Sequence, residues 1–259
     1  MNRFDPSYDG NEQKSHPILL EKFYPVICSV KQCNFRKPKT KPMSDFSKLP
    51  LNKVVRGAKR ASYDRETIFQ ILDHHFICHI GYDFEGTILT LPTGYGRVDD
   101  TLYLHGAIKN RMLDSLLQQP KISATVTLLD GLVLARSVFH HSFNYRSVVV
   151  FGKARLVKTD EEKLTALHCI TENIIPGRWN EARVPSPAEL KATQVIALEI
   201  SEASAKIRSG GPIDDDEDYS LDVWAGTIPL ATIKKEPVPD EKLNPETGIP
   251  PSVSAYTPF

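Results

Sequence analysis

The sequence predicts a mainly β domain with flanking helices, folded as a small antiparallel barrel of about six strands. Short segments alternate apolar and polar residues or are rich in β-branched residues, as strands are. These segments follow one another mostly through short links, and few helices separate consecutive strands. That order is typical of hairpin-connected antiparallel strands rather than of a parallel sheet.

Turn and breaker residues divide the predicted strands. Pro92 and Gly94 interrupt the second of them, which is therefore predicted to be an edge strand or to carry a bulge. Asp130-Gly131 is predicted to be a tight hairpin turn. The predicted strands are 76–82, 87–97, 101–105, 122–129, 132–139, 145–157 and 195–207.

Apolar spacing and capping residues predict the helices between these strands. Asp64 is a good N-cap for a first helix, and a second helix follows the strand at 101–105. Thr159 and Glu162 form a capping-box pattern at the start of a third, and 186–191 is a short fourth helix.

Composition narrows the classes of function. The 259 residues contain 32 Lys and Arg against 32 Asp and Glu, so a general nucleic-acid surface is not expected. No apolar run reaches the length of a membrane span, and the first residues lack the apolar core of a signal peptide. The four cysteines have no paired spacing, which favours a reducing compartment and predicts no metal site. A cytoplasmic protein is expected.

The chain divides into three predicted parts. Residues 1–50 form a tail without sustained periodicity, and its basic run 36–41 is either a nuclear address or a solvated linker. Residues 51–230 form the folded domain. Residues 231–259 form a proline-rich tail, which either docks a partner in an extended form or is disordered.

A polar cluster at the mouth of a buried strand is the most informative segment. In residues 139–153, the first half contains His140, His141, Asn144, Tyr145 and Arg146, and the second half contains the three β-branched valines 148–150. Polar groups at the edge of a core indicate either a bound molecule or a solvated hairpin tip. The sequence leaves these alternatives open.

A second candidate site lies where the strand 101–105 meets its helix. Gly106 allows close backbone approach, and free N–H groups at a helix start attract anions. Lys109 and Arg111 lie there although cations are disfavoured in a first turn, and a bound phosphate explains that conflict. The alternative is that both cations are solvated surface groups. His105 projects toward whatever carries the phosphate.

In combination, these motifs resemble the pyridoxamine 5′-phosphate oxidase-like FMN-binding split barrels, nearest the nitroimidazole-resistance and flavin-nucleotide-binding branch. The resemblance covers residues 56–230. The matching segments are Tyr63-Asp64-Arg65, Phe76-Ile77-Cys78-His79, Pro92-Thr93, Leu102-Tyr103-Leu104-His105-Gly106-Ala107, Leu128-Leu129-Asp130-Gly131-Leu132 and Asn144-Tyr145-Arg146-Ser147-Val148.

The resemblance implies a six-stranded split barrel that forms a homodimer with FMN at the interface. Pro92 and Thr93 would flank the isoalloxazine, and the phosphate would be held by Ala107, Lys109 and Arg111. His105 falls where the nitroimidazole-resistance proteins carry a functional histidine. The segment Tyr145-Arg146-Ser147 would line the pocket or the interface.

Two hypotheses of function follow. The first is an FMN-dependent oxidoreductase acting on a small molecule, with His105 or Tyr145 delivering a proton. The second is a flavin or haem binding or sensing module without turnover, to which the pair His140-His141 would contribute. The oxidase motifs Arg-x-Val-Leu-Leu-Lys and Arg-Leu-Ala-Pro are absent from the chain, so vitamin B6 oxidation is not expected.

Overall fold

Nine antiparallel strands form one sheet in the computed structural model, which describes residues 44–258. The strands are β1 (Ala61–Ser62), β2 (Ile77–Phe84), β3 (Thr87–Gly94), β4 (Gly96–Val98), β5 (Thr101–Ala107), β6 (Ile122–Leu134), β7 (Ser142–Leu156), β8 (Thr193–Arg208) and β9 (Gly226–Pro229). The helices are α1 (Arg65–Asp73), α2 (Arg111–Gln118), α3 (Asp160–Ile174), α4 (Pro187–Ala192) and α5 (Pro251–Ala255).

The hydrogen-bonded strand order is open, and the chain brings its two ends together. The hydrogen-bonded order is β3-β2-β6-β7-β8-β5-β4, with β1 added to β8 and β9 added to β6. β3 and β4 stand at opposite ends of this order, yet only Tyr95 separates them along the chain. β3 also contacts β5. The predicted antiparallel barrel is confirmed, and the strand count rises to nine because β1, β4 and β9 are short additions.

Tyr95 fixes the point of closure. Its side chain is fully buried, its hydroxyl donates to the carbonyl of Leu72 in α1, and its backbone N–H donates to Phe76. Burial raises its pKa, so the phenol stays protonated and remains a donor. The two ends of the sheet are therefore joined through one anchored residue.

The barrel interior is filled by alternate residues of the long strands. In β2, for example, Cys78, Ile80 and Tyr82 are buried, whereas Ile77 and His79 point outward. Burial raises the pKa of the Cys78 thiol to about 12, so this cysteine acts as a small buried hydrophobe, as predicted.

The predicted hairpin turn at Asp130-Gly131 is wrong. β6 runs straight through both residues, with an irregular register between Leu129 and Gly131, and the chain reverses later, at 135–141. Gly131 is required by a close approach rather than by a turn. A Cβ at this position would lie 2.9 Å from the carbonyl oxygen of Ile228 in β9.

The helix starts match the capping residues read from the sequence. Asp64 accepts a hydrogen bond from the Thr67 N–H, and Thr159 accepts one from the Glu162 N–H. α2 begins later than predicted. Its N-cap is Asn110, so Arg111 opens the helix and Lys109 lies in the turn before it.

Both predicted tails have described parts that contact the barrel. Before position 51, Phe46 is buried and its N–H donates to Tyr63. In 231–258, the N–H and hydroxyl of Ser252 both donate to the Glu181 carboxylate, which ties α5 to the segment after α3. The basic run 36–41 lies outside the described residues. No helix within 44–258 has the length and apolar character that membrane crossing needs.

Candidate functional site

The predicted site residues separate into two clusters. The first, called the corner site, surrounds the corner between β5 and α2. It groups His105, Ala107, Lys109 and Arg111, which lie at this corner, with Pro92 and Thr93 of β3, the strand that contacts β5. The second, called the β7 cluster, lies near the start of β7. It contains Tyr145, Arg146 and Ser147.

The two clusters lie at opposite ends of β8. His105 in β5 is the register partner of Val195 near the start of β8. Tyr145 in β7 is the partner of Arg208, the last residue of that strand. Thirteen positions of β8 therefore separate the two partners, from 195 to 208. One chain does not bring the two clusters together along this strand.

Two strands supply the floor of the corner site. Pro92 and Thr93 lie in β3 opposite His79 and Cys78 of β2, in regular register and without a bulge. β3 is the last strand at this end of the order, which confirms the prediction of an edge strand. One of its edges therefore faces β5 without a ladder of hydrogen bonds in the described residues, and main-chain groups remain there for a ligand.

The turn from β5 into α2 is tightly built. A Cβ at Gly106 would lie 2.7 Å from Nδ2 of Asn110, so a larger residue would have to displace this side chain. Asn110 in turn accepts a 3.2 Å hydrogen bond from the Leu113 N–H. The N-cap thus satisfies one donor of the first turn, and the earlier N–H groups have no acceptor within the helix.

Two exposed cations flank this helix start. The Arg111 guanidinium lies 4.5 Å from the centre of the Phe84 ring, which restricts its position by a cation–π contact. Neither Lys109 nor Arg111 has an acidic partner among residues 44–258. The corner site therefore carries two cations without an ion-pair partner, and Asp114, the acidic residue of the first turn of α2, accepts from Gln194 instead.

His105 stands beside these cations on the outer face of β5. Its imidazole is exposed, and no hydrogen bond to it is found within the described part of the chain. Partial burial of the ring lowers the pKa of His105 below its ordinary value of 6.5. The ring is therefore mainly neutral at pH 7, and both nitrogens can serve an incoming group.

Charges in the β7 cluster are already satisfied. Arg146 holds Asp130 through Nε and Nη2, at 3.0 and 2.8 Å, and this pairing raises the pKa of the arginine. The Ser147 hydroxyl donates to the carbonyl of Lys206 at 3.3 Å. The Tyr145 ring packs against Phe143, with ring centres 5.2 Å apart. Arg146 is thus held in an ion pair, whereas the Tyr145 hydroxyl remains available for a hydrogen bond to a ligand.

The histidine pair at the hairpin tip is also engaged. His140 Nε2 lies 3.2 Å from Asp215, and His141 Nδ1 lies 3.1 Å from the carbonyl of Ser137. His140, Asp215 and Asp218 present ligand atoms within 4.8 Å of one another. The structure therefore places His140 against the acidic segment 214–218 rather than over an open apolar surface.

The structure adds one group that the sequence did not single out. Arg56, Lys59 and Arg60 line a surface cavity together with Lys206 of β8. The signal was present as a run of cations within five residues, a pattern that marks anion-binding patches. This run of cations begins after the predicted tail of residues 1–50 and belongs to none of the motifs recognised in the sequence.

Comparison with known proteins places this site in context. The family model described as pyridoxamine 5′-phosphate oxidase matches residues 64–207. The structure of the flavocytochrome Anf3 from Azotobacter vinelandii is 37% identical, covers 81% of this chain and 97% of its own, and gives a TM-score of 0.77. No curated protein matches this chain.

Two further structures are similar. The FAD and heme binding protein from Mycobacterium smegmatis is 36% identical over 75% of this chain and 96% of its own, with a TM-score of 0.72. A putative 5-nitroimidazole antibiotic resistance protein from Bacteroides thetaiotaomicron is 23% identical over 57% of this chain and 86% of its own, with a TM-score of 0.48. The family match spans more than half of the sequence, and the chain belongs to the pyridoxamine 5′-phosphate oxidase family.

Proposed function

We propose that this protein binds a flavin nucleotide at the corner site and acts as a flavin-dependent oxidoreductase on a small molecule. The observation that carries the proposal is the pair of uncompensated cations, Lys109 and Arg111, at the start of α2. A phosphate dianion fits this position because it meets both positive charges and the free N–H groups of the first helical turn. The flavin would supply the redox chemistry.

The remaining corner residues have distinct roles in this proposal. Main-chain groups of Pro92 and Thr93 would meet the polar edge of the ring system, and Ala107 leaves room beside the phosphate. His105 would hold or deliver a proton beside the ring. The two similar structures of 36 and 37% identity are a flavocytochrome and an FAD and heme binding protein, so FAD is a candidate beside the predicted FMN.

A homodimer would complete the site. One chain keeps the β7 cluster at the far end of β8 from the corner site, so Tyr145 of a second copy could cover the flavin that the first copy holds. Exposed apolar side chains surround Tyr145, and such a patch favours contact with another chain. These side chains are Leu129, Leu132, Phe143 and Ile228.

The visible spectrum of the purified protein tests the flavin proposal. Absorbance bands of an oxidised flavin are expected, and heating followed by chromatography would identify FMN or FAD. Reduction of the bound flavin by NADH or NADPH under anaerobic conditions tests the oxidoreductase part. A colourless protein that takes up neither FMN nor FAD on titration would refute the proposal.

Haem binding is the second candidate, and the histidine geometry favours a particular location. His79 on β2 and His105 on β5 are exposed on the outer face of the barrel. No side-chain hydrogen bond to either ring is found among residues 44–258, whereas His140 and His141 have partners. A neutral imidazole with a free nitrogen is what haem iron requires.

Haem titration of three variants separates these histidines. A Soret band that is lost in His79→Ala or His105→Ala, and kept in His141→Ala, is the expected result. Loss of the band only in His141→Ala would instead place the haem at the hairpin tip that carries this histidine. An absent Soret band in the wild-type protein would exclude haem.

A further inference from the structure

A basic cavity lies at the carboxyl end of β8, away from the corner site. Its lining consists of the loop Arg56-Gly57-Ala58-Lys59-Arg60 and of Lys206, and its volume is about 580 Å³. This volume falls within the range of about 300–1,000 Å³ that is usual for small-molecule sites. We call this cavity the basic pocket.

The backbone holds the basic pocket in place. Ala61, directly after the loop, pairs with Lys206 through β1 and β8. Gly57 has a φ of 71°, and a Cβ there would lie 3.8 Å from Nζ of Lys206, so the loop closes against the lysine. Upstream, the Asn52 side chain is buried and donates to the carbonyls of Ser47 and Ala203. The cations are thus carried by an anchored segment.

No acidic group balances these cations in the described residues. Arg56, Lys59, Arg60 and Lys206 form no ion pair within 44–258, whereas seven other arginines in this range do. The chain as a whole has 32 basic and 32 acidic residues, so this concentration is local. Like charges held together repel one another, and a bound anion removes that cost.

A buried arginine beside the basic pocket lacks a partner at one nitrogen. Arg208 follows Lys206 by two residues in β8, so both side chains leave the same face of the strand. It is only 7% exposed, and its Nε has no hydrogen-bond partner among the described residues. Burial and the nearby charge of Arg60 lower the pKa of Arg208. Its Nη1 and Nη2 donate to the Asn144 side chain and to the carbonyls of Gly210 and Gly211, so Arg208 adds positive charge beside the pocket without lining it.

We propose that the basic pocket is a second anion site, which takes the diphosphate group of a dinucleotide on Arg56, Lys59, Arg60 and Lys206. Four cations exceed what a single phosphate requires, and the cavity exceeds the size of one. Ser147 is the register partner of Lys206, so the rest of the ligand would lie toward the β7 cluster. The diphosphate is that of a nicotinamide dinucleotide, because the phosphate of the flavin is placed at the corner site, at the other end of β8.

Calorimetric titration of the purified full-length protein at low ionic strength tests this site. The probes are inorganic diphosphate, FMN, FAD and NADPH. The variants are Arg60→Gln, Lys206→Met and the double variant, with Lys158→Met as a control that removes an exposed lysine elsewhere. Circular dichroism and thermal unfolding confirm that each variant is folded.

Inorganic diphosphate is expected to bind the wild-type protein at one site per chain. Each single variant should weaken it about tenfold and the double variant about a hundredfold, the loss expected for charge-assisted hydrogen bonds. Lys158→Met should change nothing. NADPH affinity should fall with the variants, whereas FMN and FAD affinity, which depend on the corner site, should not. A fall in FAD affinity without a fall in NADPH affinity would refute the assignment to a nicotinamide dinucleotide.

Two results would overturn the proposal. One is no binding of inorganic diphosphate to the wild-type protein, and the other is equal binding to the wild-type and the double variant. The test is independent of the flavin proposal because inorganic diphosphate has no ring system. A colourless protein that binds diphosphate refutes only the flavin proposal, and a flavoprotein that does not bind diphosphate refutes only this one.

Discussion

The corner site and the β7 cluster both place an arginine beside polar groups, but they differ in how that charge is satisfied. Arg146 of the β7 cluster closes on Asp130 with a bidentate geometry. Arg111 of the corner site stacks on Phe84 and has no acid in reach among residues 44–258. A paired arginine serves the fold, whereas an unpaired one at a helix start is available to a ligand. We therefore expect substitutions in the corner site to affect ligand binding more than substitutions in the β7 cluster.

The largest effect should come from removing both cations of the corner site. Lys109→Ala and Arg111→Ala should each weaken flavin binding by about 1–3 kcal/mol, since each removes a charge-assisted hydrogen bond to the phosphate. The double variant should approach the sum. Fluorescence titration with FMN and FAD measures it, and unaltered affinity would show that the phosphate lies elsewhere.

The pH dependence of turnover should come next in size. The pKa of His105 lies below 6.5, so the protonated fraction falls about tenfold for each pH unit above that pKa. If His105 donates a proton, the rate of substrate reduction should fall as pH rises from 6.5 to 7.5. His105→Gln should remove this slope. A slope that persists in the variant would assign the proton to another group.

Asn110→Ala should have an effect of about 1 kcal/mol on the free energy of unfolding, the usual cost of losing an N-cap. It should also weaken flavin binding modestly, because the start of α2 loses its fixed position. Thermal unfolding with and without flavin measures both effects. Thr159→Ala, which removes the cap of α3, is the matched control and should destabilise the fold without changing flavin affinity.

Arg146→Met should have the smallest effect. The pair with Asp130 is about one-third exposed on each side, so its loss should cost less than about 1 kcal/mol of stability. Flavin affinity should change by less than about threefold if the pair only supports β6 and β7. A loss as large as that of Arg111→Ala would mean that Arg146 leaves Asp130 to meet a ligand, and would remove the contrast between the two clusters.

The fold was predictable where local chemistry and tertiary structure agree. Asp64 and Thr159 cap their helices as the sequence predicts, and the alternation in β2 gives the correct buried face. The turn at Asp130-Gly131 was not predictable. A glycine that admits a neighbouring strand has the same local signature as a glycine in a turn, and only the position of Ile228 distinguishes them.

The local structure of the corner between β5 and α2 was predictable in part because its residues are close in sequence. Gly106, Asn110 and Arg111 are a strand end, a cap and a helix start within six residues. The ion pair between Arg146 and Asp130 was not predictable, since the two residues meet only through the pairing of β6 with β7. The basic pocket was hidden for the same reason, because Lys206 is far along the chain from Arg60.

The closure at Tyr95 has a consequence for where this barrel opens locally. Every other neighbouring pair of strands is held by a row of hydrogen bonds, whereas β3 and β5 meet without a ladder in the described residues. The barrel should open first between β3 and β5, because separating these two strands breaks no backbone hydrogen bond of the sheet. Amide exchange should therefore be fastest along this seam. The corner site lies on this seam, so the proposed flavin would bind where the barrel opens most readily.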